Sequence, residues 1–361
     1  MIAGLVVSII IPCRNEEKFI SLCLDSIIAN DYPHDRLEVL VVDGMSEDRT
    51  RDIVHSYARR YPFIRLIDNV RRITPAALNL GVANAKGEVI MRMDAHARLE
   101  KDYVFRCVES IEQYGAENVG GIMKTLPQEG GLLGESVVLS LSHRFGVGAS
   151  LFRGHTDEPK WVDTVFGGCY RREVFDRVGL FNEDLARGQD MEFNLRLKKA
   201  GGQTLLVPDI VSYYYARSGM KSFLKHNWSN GVWAILPFAY SEVMPVSWRH
   251  LGPLVFVTSL ILTAMVGVFS ASILWLFLVI LGAYTVASLA AASHIAWRER
   301  DSRYLILMPL IFGLLHVGYG LGSLWGVVRL LEMPQFWKKL FALEARRGTD
   351  PRQKSDRKRS P

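Results

Sequence analysis

The chain has 361 residues, more than one ordinary domain requires, and its length suits one globular domain with an appendage. Its hydrophobic fraction of 49% is high for a soluble protein, because residues 252–331 are nearly free of charge. A net charge of +6, concentrated in a tail that includes Lys338, Lys339, Arg346, Arg347, Arg352, Lys354 and Arg357, points to anionic lipid headgroups; without interleaved aromatics or a nucleic-acid fold, it argues against nucleic acid as the partner.

Four cysteines, Cys13, Cys23, Cys107 and Cys169, form no C-x-x-C pair. Neither a zinc site nor a disulfide framework is expected, and small buried thiols fit a reducing compartment. The apolar run Val6–Ile11 is short, has no basic segment before it and ends at Pro12. It reads as a buried strand rather than a signal peptide.

The pattern from 5 to 95 alternates β and α. Leu5–Ile11 is a strand, and Asn15 is placed to cap the helix carrying Phe19, Leu22, Leu24, Ile27 and Ile28. Glu38–Val42 is a second strand, ending at Asp43-Gly44, with a helix from about Ser46. Phe63–Ile67, helix Pro75–Ala85 and strand Glu88–Met93 follow. Strands separated by crossover helices predict an open, mostly parallel α/β sheet flanked by helices. Ligands of such sheets bind beyond the C-terminal strand ends, where Asn15, Asp43 and Asp94 fall. Further on, Val165–Tyr170 reads as a strand broken by Gly167 and Gly168. Arg172–Val178 and Asp190–Ala200 read as helices, and Leu205–Val207 as a strand.

Gly252–Ser270 and Ser272–Ala292 are each long enough to cross a hydrocarbon core of about 30 Å. Tyr304–Leu331 is apolar and glycine-rich. Positive-inside bias places both the 298–303 charge cluster and the basic tail in the cytoplasm, which three full spans would not allow. Either Tyr304–Leu331 bends back at its glycines as a re-entrant segment, or Gly231–Val243 adds a shallow insertion, or the rule fails here; an in-plane or re-entrant element is the expectation. The organisation expected is a domain at 1–230, an interfacial linker at 231–251, a transmembrane region at 252–331 and a cytoplasmic tail at 332–361.

Three short segments carry candidate chemistry. Asp94 and His96, two apart at a strand end, point the same way and can converge on a hard cation such as Mg²⁺ or Mn²⁺. Asp43 can accept from a base or ribose. Asp190 and Glu192 open a helix, whose N-terminus favours the ionised carboxylate. Each also has an ordinary explanation as a cap or turn residue. No G-x-G-x-x-G follows the first strand, which argues against a nicotinamide dehydrogenase.

Together, the segments Val7–Glu17, Val41–Thr50, Asp94–Ala97 and Gly188–Glu192 resemble glycosyltransferase family 2, and within it the succinoglycan-biosynthesis type with D-A-H in place of D-x-D. The resemblance spans about residues 5–230 and extends to the membrane tail. It implies a GT-A fold and an inverting, metal-dependent transfer from a nucleotide-sugar, usually a UDP-sugar. By motif match, Pro12, Asn15, Glu16, Asp43, Arg71, Arg72 and Asp94 are expected at the nucleotide-sugar. Asp94 and His96 are expected at Mn²⁺ or Mg²⁺, and Asp190 as the general base. Trp161, Gly167, Gly168 and Gln189 are expected on the acceptor side, and Arg217, Lys221 and Lys225 at the diphosphate. Q-x-x-R-W of processive synthases is absent, so one sugar per encounter is expected. The membrane region implies a lipid-linked glycan acceptor, with the catalytic domain on the cytoplasmic side of the inner (plasma) membrane. The rival expectations are a polyprenyl-phosphate sugar synthase and a non-catalytic subunit of a polysaccharide assembly complex.

Overall fold

Consecutive apolar residues in two short runs, VSIIIPC and LEVLVVD, force the centre of the architecture, because a strand apolar on both faces must be covered on both. In the computed structural model, which describes residues 4–148, 151–154, 156–217, 219–244, 246 and 248–348, these runs are β1 (Val7–Cys13) and β2 (Leu37–Asp43). Helix α1 (Ile20–Ile28) joins them. Next come α2 (Thr50–Arg60), β3 (Ile64–Asp68), α3 (Thr74–Asn84), β4 (Val89–Arg92), β5 (Ala97–Leu99), α4 (Tyr103–Tyr114), β6 (Asn118–Pro127), α5 (Leu132–Ser142) and α6 (Arg144–Val147). Then follow β7 (Lys160–Val162), β8 (Cys169–Arg171), α7 (Glu173–Val178), α8 (Gln189–Lys199) and β9 (Thr204–Ala216).

The sheet order is β3-β2-β1-β4-β8-β6-β9-β5, with β7 also on β9. β1 pairs parallel with β2 and β4, and β2 with β3, as expected. Beyond β4 the sheet is mixed: β8 runs antiparallel to β4 and β6, and β5 and β7 run antiparallel to β9, while β6 and β9 are parallel. The expectation of a mostly parallel sheet therefore holds only for the N-terminal half. Val7, Ile9 and Ile11 enter a core shared with α1, α2 and α4, while Ile10 enters a second core under α3 and α8 with Phe175, Phe181 and Phe193. Each such side chain, fully buried, contributes about 1.5–3 kcal/mol relative to an exposed one.

Gly167 and Gly168 both adopt positive φ (71° and 94°), which shortens the expected 165–170 strand to Cys169–Arg171. A Cβ on Gly167 would press on the Arg92 carbonyl, so this turn is what lets β8 close against β4. Asn15 does not cap α1, which starts at Ile20 after Phe19. Nor does α2 start at Ser46. It starts at Thr50, whose backbone N–H and hydroxyl both donate to Asp48 at 3.0 and 2.6 Å.

The C-terminal third begins with α9 (Met220–Ile235), which runs straight through the expected boundary at 230, followed by α10 (Pro237–Tyr240). Helices α11 (Trp248–Gly267), α12 (Ala271–Glu299) and α13 (Tyr304–Leu331) are long and apolar enough to cross a membrane, and α14 (Pro334–Gly348) follows. Of the expected tail at 332–361, the first part is α14 and residues 349–361 lie outside the described residues. The expectation that 304–331 folds back is corrected: α13 is one continuous helix of 28 residues, about 42 Å at 1.5 Å per residue. Three of its glycines, Gly320, Gly322 and Gly326, serve close packing. Gly322 lies against the Trp228 backbone, Gly326 against Val232 and Ile235, and Gly320 against Pro253 and Val257, while Gly231 of α9 lies against Tyr319. Small residues let helix backbones approach closely.

Candidate active site

A cavity of about 1010 Å³ opens where the C-terminal ends of β1, β2 and β4 face α8 and α9, and it continues to Pro253, Phe256, Leu315 and Tyr319 on the apolar helices. Among its described lining residues only Glu16, Asp94 and Asp190 are acidic, while arginines line it on every side. A cavity with that balance attracts anions.

The centre of the site is Arg92, a residue the sequence reading did not single out. It is the last residue of β4, two before Asp94, and its guanidinium donates to Asp94 at 3.0 Å and to Asp190 at 3.0 Å. Burial favours its neutral form, but the two carboxylates outweigh burial and hold its pKa above the usual arginine range. The signal was available: alternation along a strand sends Arg92 and Asp94 to one side, and a lone charge in an otherwise apolar run asks for a partner. Asp190 sits in the first turn of α8, where its Oδ1 also accepts from the Met191 N–H at 2.9 Å. Neighbouring Gln189 is buried and lines the cavity, and its side-chain oxygen has no hydrogen-bond partner.

His96 follows Asp94. Its Nδ1 meets Glu16 Oε1 at 3.1 Å and its ring packs edge-on against Tyr214 at 4.9 Å. Burial lowers the imidazole pKa, but Glu16 overcomes this and raises it above the ordinary histidine value. Glu16 thus lies beside the candidate metal ligand, with Arg217 3.7 Å away on the same carboxylate. A carboxylate on one ring nitrogen leaves the other for a cation, the usual outer arrangement of a metal-bound histidine. Among the described residues no three His, Cys, Asp or Glu side chains converge as a closed cage. Asp94 and His96 still fit a cation shared with a diphosphate, which needs only one or two protein ligands.

The other expected residues divide. Pro12 and Arg72 line the cavity, and Arg72 adopts positive φ (57°). Arg71 instead pairs with Glu183. Asp43 has a fully buried side chain that does not line the cavity: its oxygens accept from Ser46 and, at 2.7 Å, from Arg51. Burial raises its pKa, and the Ser46 and Arg51 hydrogen bonds bring it below the ordinary carboxylate value. Asn15 accepts from the Glu47 N–H at 2.9 Å and donates its own N–H to Ser46 at 2.8 Å. Asp43 and Asn15 therefore shape the loop whose Gly44 lines the cavity. Gly167 and Gly168 follow the lining residue Phe166 in the chain and do not themselves line the cavity. Trp161, 50% exposed on edge strand β7, is not part of the wall, and neither are the exposed Lys221 and Lys225.

Arg153, Arg187 and His226 also line the cavity, and none of them is proposed as a site residue from the sequence. Arg187 donates to Asn230 at 2.6 Å and approaches His226 Nδ1 at 3.4 Å. Burial, then Arg187, Arg217 and Arg153, push the His226 pKa down to about 3. The unfolded chain takes up this proton near pH 6.5 while the folded chain refuses it until about 3, so stability is lost as pH falls through that window. Thermal midpoints at pH 7 and 5 should fall apart less in His226→Asn than in the parent. An equal drop in both would show that His226 is not the group responsible.

Comparison with known proteins agrees with this geometry. Residues 8–179 match the model of glycosyl transferase family 2. The chain is 34% identical over 233 residues to the dolichyl N-acetyl-alpha-D-glucosaminyl phosphate 3-beta-D-2,3-diacetamido-2,3-dideoxy-beta-D-glucuronosyltransferase of Methanococcus voltae, covering 62% of this chain and 71% of that protein. It is 30% identical over 325 residues to succinoglycan biosynthesis protein ExoA of Rhizobium meliloti (strain 1021), covering 82% of this chain and 94% of that one. Among solved structures it is similar in fold to the mannosyltransferase PcManGT from Pyrobaculum calidifontis, determined in complex with GDP-Man and Mn²⁺, with 21% identity, a TM-score of 0.56 and coverage of 89% and 87%. The N-terminal sheet with its strand-end carboxylates, and relatives that match along most of their own length, lead to one conclusion: this chain belongs to glycosyltransferase family 2 and is a glycosyltransferase.

Proposed function

We propose that the chain transfers one sugar, with inversion, from a UDP-sugar to a hydroxyl of a lipid-linked glycan in exopolysaccharide or cell-surface glycan synthesis. The work takes place at the cytoplasmic face of the inner membrane. The observation that carries the reading is Arg92 holding Asp94 and Asp190 at 3.0 Å each on one cavity. One carboxylate is then available toward the leaving diphosphate and the other toward the acceptor. The names of the relatives, a dolichyl-phosphate-linked glycan transferase and a succinoglycan biosynthesis protein, support the acceptor class. The three apolar helices support the membrane location.

In this reading Asp190 takes the acceptor hydroxyl proton, the oxygen bonds to the anomeric carbon, and the bond to the nucleoside diphosphate breaks on the opposite face. Pro12, Gly44 and Arg72 border the nucleotide, and Arg92 holds Asp190 in place through its 3.0 Å hydrogen bond. Asp94 and His96 would hold Mn²⁺ or Mg²⁺, which supplies Lewis-acid charge for the departing diphosphate. Glu16 fixes the His96 ring.

The test is UDP release from a panel of UDP-sugars by the full chain in lipid, with and without Mn²⁺. Release should require the cation and one particular sugar, and Asp94→Ala should lower it by about 10²-fold or more. Cation-independent release, unchanged in Asp94→Ala, would overturn the metal role. Release from no UDP-sugar, with GDP- or TDP-sugars active, would overturn the donor assignment.

A further inference from the structure

The arginine side of the cavity has a property that the donor reading leaves unexplained. Among the described residues no carboxylate pairs with Arg153 or with Arg187. Arg153 donates to the Leu141 carbonyl at 3.2 Å, and Arg187 bonds Asn230 and faces His226. Half-buried guanidinium groups without a counter-charge are costly, and the cost falls when an anion enters. His226 cannot share that charge, because its Nδ1 accepts from Arg187 and burial keeps the ring neutral. Its proton then sits on Nε2, as a donor. A second donor stands on the same wall: Asn227 Nδ2 is buried with no hydrogen-bond partner, and Asn227 lines the cavity. Arg217 completes the ring, and its only close carboxylate among the described residues is Glu16 at 3.7 Å.

Arg153, Arg187 and His226 stand on other elements than the nucleotide end of the cavity, and Arg217 links the cluster to the candidate metal side through Glu16. The nucleotide end of the cavity lies at the ends of β1, β2 and β4, with Pro12, Gly44 and Arg72. The cluster lies instead on α9 and the segments facing it, where the catalytic domain meets the apolar helices. Asn227 packs beside Gly318 of α13, and Phe223, one turn earlier, packs with Ile311 and Leu315. Past the cluster the cavity wall turns apolar, with Phe256, Leu315 and Tyr319.

We propose that Arg153, Arg187, Arg217 and His226 seat the phosphate group of the lipid-linked acceptor, with the apolar chain leaving along α11 and α13. The inference rests on the lipid-acceptor reading above and names the part of the acceptor that is recognised. Planar guanidinium groups read phosphate oxygens in pairs, and neutral His226 and Asn227 add donors without adding charge.

The experiment uses the full chain in nanodiscs of neutral lipid. Dissociation constants are measured for farnesyl diphosphate, for farnesol, which lacks the phosphate, and for UDP. The parent should bind farnesyl diphosphate far more tightly than farnesol. Arg153→Gln and Arg187→Gln should each weaken it about tenfold or more, with UDP affinity unchanged within about twofold. Equal weakening of UDP would assign the cluster to the donor diphosphate and overturn the proposal. Equal affinity of the parent for farnesol and farnesyl diphosphate would overturn it too. If a Gln variant fails to fold, competition on the parent decides: inorganic pyrophosphate should displace farnesyl diphosphate, and failure to do so counts against the site. UDP release by the parent, measured in parallel, isolates the transferase reading. Its loss with farnesyl diphosphate binding intact would sink that reading and leave the anion seat standing.

Discussion

Asp190→Asn should cut turnover by about 10²–10⁴-fold, the usual worth of a positioned general base, while donor affinity stays within a few-fold. The substitution is conservative where the structure is concerned. An asparagine oxygen can still accept from Arg92, which now donates to Asp190 at 3.0 Å, and the first turn of α8 keeps a polar residue. What disappears is the capacity to take a proton. The measurement is kcat against KM for the donor, with donor Kd measured separately. Equal loss of turnover and donor binding would remove Asp190 from the role of base. Near-normal turnover would favour the rival in which the acceptor is itself a lipid phosphate, because a phosphate oxygen needs no deprotonation.

Removing Arg92 should be worse, because it strikes folding as well as chemistry. Arg92→Leu leaves Asp94 and Asp190 as neighbouring carboxylates with their shared counter-charge gone. Breaking one side of a buried pair costs about 3–5 kcal/mol. The measurement is the difference in Tm from the parent, with the double variant Arg92→Leu/Asp190→Asn alongside. The double variant should recover part of the deficit, because one of the two unpaired carboxylates is then neutral. An equal deficit in both would mean that the loss is one of packing and not of charge. Arg92→Lys should rescue stability in part and activity poorly, since one ammonium cannot present a planar fork to two carboxylates.

How much of this was legible follows from where each feature draws its information. β1 and β2 could be read because a strand buried on both faces is a continuous apolar run, and α1 and α3 because they separate such runs. β6 and β9 were harder. β6 carries Gly120 and Gly121, β9 carries Pro208, and their pairing shifts register between Gly121 and Ile122, so neither offers clean alternation. The glycines of α13 were legible as residues but not as contacts. Flexibility and close packing call for the same residue, and only the position of α9 decides between them.

The site divides in the same way. Asp94, His96 and Asp190 stand in short motifs and do reach one cavity. Asp43 and Asn15 stand in equally recognisable motifs yet hold a loop, because the hydrogen bonds that consume them come from Ser46, Glu47 and Arg51, within a few residues of Asp43. Arg153, Arg187 and His226 come from three separate segments. Their significance lies in burial without a counter-charge, a property that exists only after folding.

The glycine seam between α9 and α13 has a mechanical consequence. Backbone meets backbone there, at Gly231 with Tyr319 and at Gly322 with Trp228, and Phe223 packs on Ile311 and Leu315, so the two helices are joined closely along their length. With α13 set in a bilayer, the carboxylates of the cavity ride at a fixed height above the hydrocarbon. On the proposed lipid-linked acceptor, such a joint would set the distance from lipid to reacting hydroxyl, so acceptors that share a terminal sugar but differ in that distance are expected to differ in turnover.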